Sequence, residues 1–298
     1  MLSKAQVSLL DEFDNRTYLF PVESANFRFQ ASDKELPMSL YRARPQDGAA
    51  WITGASTGIG RALALELARR GWTVAATARS ADKLDELARE SANLPGKIHA
   101  FTADVTDAAA MAAAVQSITG KLGPVVLAIM NAGNYWPGSG DRIDIKKYAD
   151  TYAINVMGQV NGIAPAVEKM KATGRGHIML VASVSGYSGL PTAAAYGASK
   201  AAVINMAEAL KFDFDRMNIR IQVVNPGFIE TPLTEKNSFK MPALMPVEKA
   251  VLRMADGIDS GGFEITFPRR FTWALKLMRM LPYPVYFWLM KKMMGVKT

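Results

Sequence analysis

Trp51-Ile-Thr-Gly54-Ala-Ser-Thr-Gly58-Ile-Gly60-Arg61 decides the fold of this chain. It follows an apolar run at 49–53 that reads as a buried strand. It opens a segment at 59–71 in which Leu63 and Leu67 recur at helical spacing. A strand, a glycine turn and a helix in that order form a cradle for a dinucleotide pyrophosphate. Gly54 permits the tight turn, Gly58 lets the backbone approach the phosphates, and Gly60 lets the helix pack close to the sheet. Unpaired N–H groups at the helix start supply the anion site, with Ser56 and Ile59 as further contacts within the turn. A glycine cluster alone would serve an ordinary turn equally well, so its strand-to-helix context carries the reading.

Outward from the turn, apolar strands alternate with amphipathic helices. Strands are predicted at 72–77, 97–102, 124–130, 177–182, 219–225 and 263–267. Helices are predicted at 82–91, 107–121, 145–170 and from Tyr196 to about Met217. This alternation predicts an α/β domain with a parallel sheet covered on both faces. At 298 residues the chain holds one such domain, 49–267, with an extension at 1–48 and a tail at 268–298. Residues 1–37 read equally well as a dimerisation arm or as sequence upstream of a start at Met38.

Composition narrows the function classes. Without cysteines and with only His99 and His177, disulfides and Cys/His zinc sites fall away, and no metal is expected. A reducing cytoplasm fits. The net charge of +8 is concentrated in the tail, where seven bases and no acid follow Glu264. That argues against a broad nucleic-acid face and for a local contact with something anionic or apolar. No uncharged apolar run approaches the length of a spanning helix.

The second informative stretch is Ser183-Val-Ser-Gly-Tyr-Ser-Gly-Leu-Pro-Thr-Ala-Ala-Ala-Tyr196-Gly-Ala-Ser-Lys200. Tyr196 and Lys200 are one helical turn apart and share a face. An ammonium beside a phenol favours the phenolate, so the tyrosine pKa is expected to fall from about 10 toward neutrality. Such a group exchanges a proton with a carbonyl or alcohol oxygen.

Other positions bear on the cofactor. The second strand ends in Thr77-Ala78-Arg79-Ser80, with no carboxylate for a ribose 2′-hydroxyl. Arg79 is placed instead to pair with a 2′-phosphate, which favours NADP over NAD. Asp104 and Val105 follow the third strand; Asp104 reads either as an adenine contact or as a helix cap. Asn131-Ala132-Gly133 reads either as space for the nicotinamide ribose or as a turn. Asn155 inside a helix implies that its amide is used or that a kink is stabilised. After Pro226-Gly227, a loop running through Thr231 to Met245 carries Phe228, Ile229, Leu233, Phe239, Met241, Leu244 and Met245. It is expected to act as a lid over an apolar substrate.

Taken together and in this order, these motifs resemble the short-chain dehydrogenase/reductase family over about 49–267. The resemblance implies a Rossmann-like domain with a seven-stranded sheet in the order 3-2-1-4-5-6-7, and a homodimer or homotetramer. It implies that Ser183 binds the substrate oxygen and that Tyr196 is the acid or base. Lys200 would lower the tyrosine pKa and hold the nicotinamide ribose. Asn155 would support a water relay to Lys200, and Pro226, Gly227 and Thr231 would join the cofactor site. The reading is an NADPH-dependent carbonyl reductase, or the reverse alcohol dehydrogenase, acting on a lipophilic small molecule. The alternatives are a non-catalytic NADP(H) sensor and a membrane-surface scaffold.

In the tail, a helix at 269–281 is expected to place Arg269, Thr272, Lys276 and Arg279 on one face and Phe271, Leu275 and Met278 on the other. Pro282 and Pro284 end it, and Tyr286, Phe287 and Trp288 precede Lys291 and Lys292. Its apolar face covers a neighbouring subunit or the substrate cleft, or else the tail rests on the inner membrane surface.

Overall fold

The computed structural model describes residues 40–237 and 241–294; the expectations for 1–37, Met38 and Phe239 fall outside them. The apolar runs form seven strands: β1 (Ala49–Thr53), β2 (Val74–Ala78), β3 (Ile98–Thr102), β4 (Val125–Met130), β5 (Gly176–Val181), β6 (Ile219–Pro226) and β7 (Glu264–Phe267). They make one parallel sheet in the order β3-β2-β1-β4-β5-β6-β7. Strands β1, β2, β4, β5 and β6 are buried at every residue, because both faces of the sheet are covered. The edge strands β3 and β7 are only partly covered.

Seven helices alternate with the strands: α1 (Gly58–Arg69), α2 (Ala81–Glu90), α3 (Ala108–Leu122), α4 (Ile145–Tyr152), α5 (Gly158–Thr173), α6 (Ala194–Arg216) and α7 (Val247–Ser260). Neighbouring residues of β1 point to opposite faces of the sheet and enter different cores. Trp51 joins Met111, Ile118, Ile163 and Val203 from α3, α5 and α6. Ile52 joins Leu63, Leu67, Leu84 and Met254 from α1, α2 and α7. Order reverses beside β1, which pairs with β2 on one side and β4 on the other. A crevice opens at such a switch point, at the carboxyl ends of the strands.

The structure departs from the sequence reading in two places. The helix expected at 145–170 is three pieces: α4, a π-turn at Ala153–Met157, and α5. The π-turn carries Asn155, whose buried amide bonds outside the helix. Helix α7 was not predicted, although Ala250, Val251, Met254, Ala255 and Ile258 are all buried along one face. Within the sheet, buried His177 meets Gln222 Oε1 through Nε2 at 2.8 Å, and Gln222 donates to the Gly257 and Gly262 carbonyls. This polar link fastens the end of α7 to β6.

The tail folds as α8 (Arg269–Arg279) and α9 (Tyr283–Met294). Pro282 separates them, and Pro284 sits in the first turn of α9, where no N–H is needed. Thr272, Leu275 and Met278 of α8 and Tyr286 and Met290 of α9 are buried against the sheet domain, and the four apolar ones join the Trp51 core. The expected apolar face thus packs inward. Trp273, Leu277 and Met280 form a second, exposed apolar row on the opposite side, and Thr272, expected on the basic face, is buried instead.

Candidate active site

At the switch point lies a cavity of about 560 Å³. Every sequence-predicted site residue except Gly60 and Asn155 lines it. A second cavity of about 70 Å³ adjoins it, walled largely by Tyr135, Leu190, Pro191, Phe228 and Leu233. Ser183 and Tyr196 line both.

The glycine turn is built for close approach. Gly54 and Gly58 have φ of +68° and +54°, a region that disfavours side chains. A Cβ on Gly60 would lie 2.4 Å from both the Gly54 carbonyl oxygen and the Asn131 amide nitrogen. Gly60 thus lets α1 start against the turn itself, rather than against the sheet as expected. Asn131 ties the two strand ends together: its Nδ2 donates to the Thr53 and Gly54 carbonyls at 3.0 and 3.2 Å. Its backbone N–H donates to Thr53 Oγ1 at 3.0 Å.

Helix termini distinguish the cleft from the rest of this half of the domain. Helices α3 and α4 are capped by their own Asp107 and Asp144. Thr57 and Ser80, at the N-caps of α1 and α2, make no side-chain cap bond, and both line the cleft. Uncapped N–H groups carry partial positive charge and suit anions. Arg79, Ser80 and Lys83 converge at the start of α2, beside Ala78. Lys83 escaped the sequence reading, although a position four residues after Arg79 on a starting helix could have shown it.

Arg79 lies 3.8 Å from Asp104. Burial would raise the Asp104 carboxyl, but hydrogen bonds from the Thr106 N–H and hydroxyl, with Arg79 nearby, hold it below its ordinary value. Asp104 therefore organises a turn, and Asp107 is the cap of α3.

Around the reacting end, Lys200 Nζ lies 5.6 Å from the Tyr196 ring centroid, as one-turn spacing requires. The phenol itself departs from expectation. Burial pushes the Tyr196 pKa up to about 12, a hydrogen bond with Ser183 offsetting this only in part. Burial also takes Lys200 down to about 8, and its ammonium donates to the Val181 carbonyl at 2.9 Å instead of meeting the phenol oxygen. In this state Tyr196 is a protonated acid at neutral pH.

Asn155 accepts from the Asn134 N–H at 2.7 Å and donates to the Asn134 carbonyl and Ser199 Oγ at 2.9 and 3.0 Å. It thereby holds the segment after β4, where Tyr135 meets Tyr196 edge-on with ring centroids 5.1 Å apart. A Cβ on Gly133 would lie 3.3 Å from Asn155 Oδ1 and 3.4 Å from Lys200 Nζ, so small size matters there.

The loop after β6 is only partly a lid. Ile229 is core, and it bridges to Met245, which also packs inward. Phe228 and Leu233 do line the smaller cavity. Lys236 reaches across the cleft to Asn134 Oδ1 and the Tyr135 carbonyl at 3.1 and 3.0 Å, a link the sequence gave no sign of. Among the described residues there is no cluster of three or more His, Cys, Asp or Glu that could hold a metal ion.

Comparison with known proteins agrees with this geometry. Residues 48–241 match the short chain dehydrogenase family. An uncharacterized oxidoreductase of Myxococcus xanthus is 33% identical over 237 residues, 80% of this chain and 94% of that protein. A 3-oxoacyl-[acyl-carrier-protein] reductase of Thermotoga maritima is 37% identical over 185 residues, 62% of this chain and 75% of that one. The crystal structure of a short-chain type dehydrogenase/reductase from Mycobacterium marinum superposes with a TM-score of 0.68 at 29% identity, covering 73% of this chain and 92% of the other. By sequence and by fold, this chain belongs to the short-chain dehydrogenase/reductase family of NAD(P)-dependent oxidoreductases.

Proposed function

We propose that the protein is an NADPH-dependent carbonyl reductase acting on a lipophilic small molecule, as a homodimer or homotetramer. The observation that carries this reading is that Ser183 and Tyr196 stand in the shared wall of the two cavities. The larger fits a dinucleotide: a glycine turn too close-packed for side chains, two uncapped helix starts, and Arg79 and Lys83 where a 2′-phosphate would lie. The smaller has mostly apolar walls and, at about 70 Å³, has room for the reacting end of an apolar carbonyl compound.

NADPH, when bound, supplies a hydride to the carbonyl carbon. Ser183 donates a hydrogen bond that places the carbonyl oxygen. Tyr196, a protonated acid at neutral pH, releases its proton as the C=O electron pair moves onto that oxygen. Lys200, poised nearby as an ammonium, stabilises the phenolate left behind. Asn155 acts through the Asn134 backbone, which keeps Tyr135 against Tyr196.

A screen of aliphatic and aromatic ketones and aldehydes, followed by loss of NADPH absorbance, tests the proposal. Turnover should exceed that with NADH. Tyr196→Phe should lose at least ~10²-fold in kcat while NADPH affinity stays within a few-fold. Retention of more than a tenth of the activity would remove Tyr196 from this role.

A further inference from the structure

The C-terminal hairpin has an inner face that is fully used and an outer face that is not. Inside, Leu275, Met278, Tyr286 and Met290 are buried. Lys276 pairs with Glu264, whose carboxylate also accepts from Tyr187 at 2.5 Å and Asn225 at 2.7 Å. The hairpin also touches the substrate end of the site. Phe271 lies 5.9 Å from Phe228, centroid to centroid, and Tyr286 donates to the Gly189 carbonyl at 2.6 Å, next to Leu190 and Pro191.

Outside, Trp273, Leu277 and Met280 recur at the spacing of one helix face and are 63%, 65% and 81% exposed. On α9, Tyr283 is 77% exposed and stacks on Phe287, and Trp288 stands beside Lys292. Among the described residues no carboxylate pairs with Arg269, Arg270, Arg279, Lys291 or Lys292, and no acid lies beyond Glu264 anywhere in the sequence. A soluble surface rarely leaves so many large apolar side chains together without a partner.

We propose that this outer face docks on the surface of an anionic lipid bilayer. Exposed aromatic and aliphatic residues framed by basic ones match an apolar boundary beneath negative headgroups. The tail lies on the bilayer and does not cross it: among the described residues no helix is long and apolar enough to span. A second copy is the weaker occupant. A two-fold contact on this face would set the basic residues against their own symmetry mates. The inference goes beyond the reductase reading, and its test does not use activity.

The full-length protein is floated with neutral phosphatidylcholine vesicles and with vesicles that also contain phosphatidylglycerol. Flotation should require the anionic lipid and weaken as salt rises. Trp273→Glu/Leu277→Glu should abolish it, and both side chains are exposed, so the melting temperature should hold. Lys291→Gln/Lys292→Gln should weaken it by about fivefold for each charge removed at low salt. Flotation with neither vesicle, or flotation equal on both and unchanged by the variants, overturns the proposal. Absence of flotation with a fall in assembly mass for the Trp273→Glu/Leu277→Glu protein would instead assign the face to a second copy.

Discussion

Replacing Asn155 by leucine should damage both stability and turnover, and the structure sets the size of the effect. Leucine keeps the volume but removes three hydrogen bonds, two to the Asn134 backbone and one to Ser199. Asn134 is partly exposed, so water can reach its two freed groups, and buried Ser199 keeps its bond to the Tyr196 carbonyl, so each loss falls at the low end of the penalty for an unmade bond. About 1 kcal/mol for each gives a destabilisation of about 3 kcal/mol. For a domain of this size, that lowers the melting temperature by about 6–12 °C. Turnover should fall about 10- to 100-fold, because Asn134 positions Tyr135 beside Tyr196 and sub-ångström displacement at a reacting centre is expensive. Ser199→Ala removes the partner of one bond, and a double-mutant cycle with Asn155→Leu should show a coupling of about 1 kcal/mol. Calorimetric melting of the four proteins, with kcat alongside, measures all of this. A change under about 2 °C for Asn155→Leu, or no coupling, would refute the claim that the amide holds this segment.

Arg79→Asp should shift kcat/KM from NADPH toward NADH, since it removes a phosphate partner and supplies a carboxylate for the 2′-hydroxyl. Lys83→Ala should weaken NADPH alone, and an unchanged cofactor ratio in both would place the phosphate elsewhere. Buried His177 has its pKa lowered from 6.5 to about 3, by burial first and by Arg220 second. The unfolded chain then binds a proton that the native state refuses, so stability is lost as pH falls from about 6.5 toward 3, by up to about 1.4 kcal/mol per pH unit. His177→Gln should flatten the melting temperature over that window, and an identical slope would clear His177 of the effect.

The sheet was readable because its central strands are largely apolar runs punctuated by turns, and the glycine turn set where the first of them ends. The site followed from spacing: Tyr196 and Lys200 had to share a helix face, and Asn155 had to justify an amide inside a helix. Depth was not readable. Spacing puts an ammonium near the phenol, but burial and the Val181 carbonyl decide which way the Tyr196 pKa moves. The π-turn was hidden for a similar reason, since one added residue per turn barely disturbs the apolar pattern. In the tail, both sides of α8 are apolar, and sequence alone does not say which the domain covers. Helix α7 is a different case, because its helical period is present in the sequence at Ala250, Met254 and Ile258. Lys236 has no local signal at all: its partners lie about a hundred residues away.

Isotope transfer tests the central claim most directly. NADPH carrying deuterium at the transferring carbon is incubated with the full-length protein and each ketone that the screen finds active, and the product is weighed by mass spectrometry. The account predicts an alcohol with one deuterium on the former carbonyl carbon, formed faster than with labelled NADH and nearly absent with Tyr196→Phe. Tight NADPH binding with no label transferred to any carbonyl compound would contradict it and identify the protein as a sensor of the cofactor.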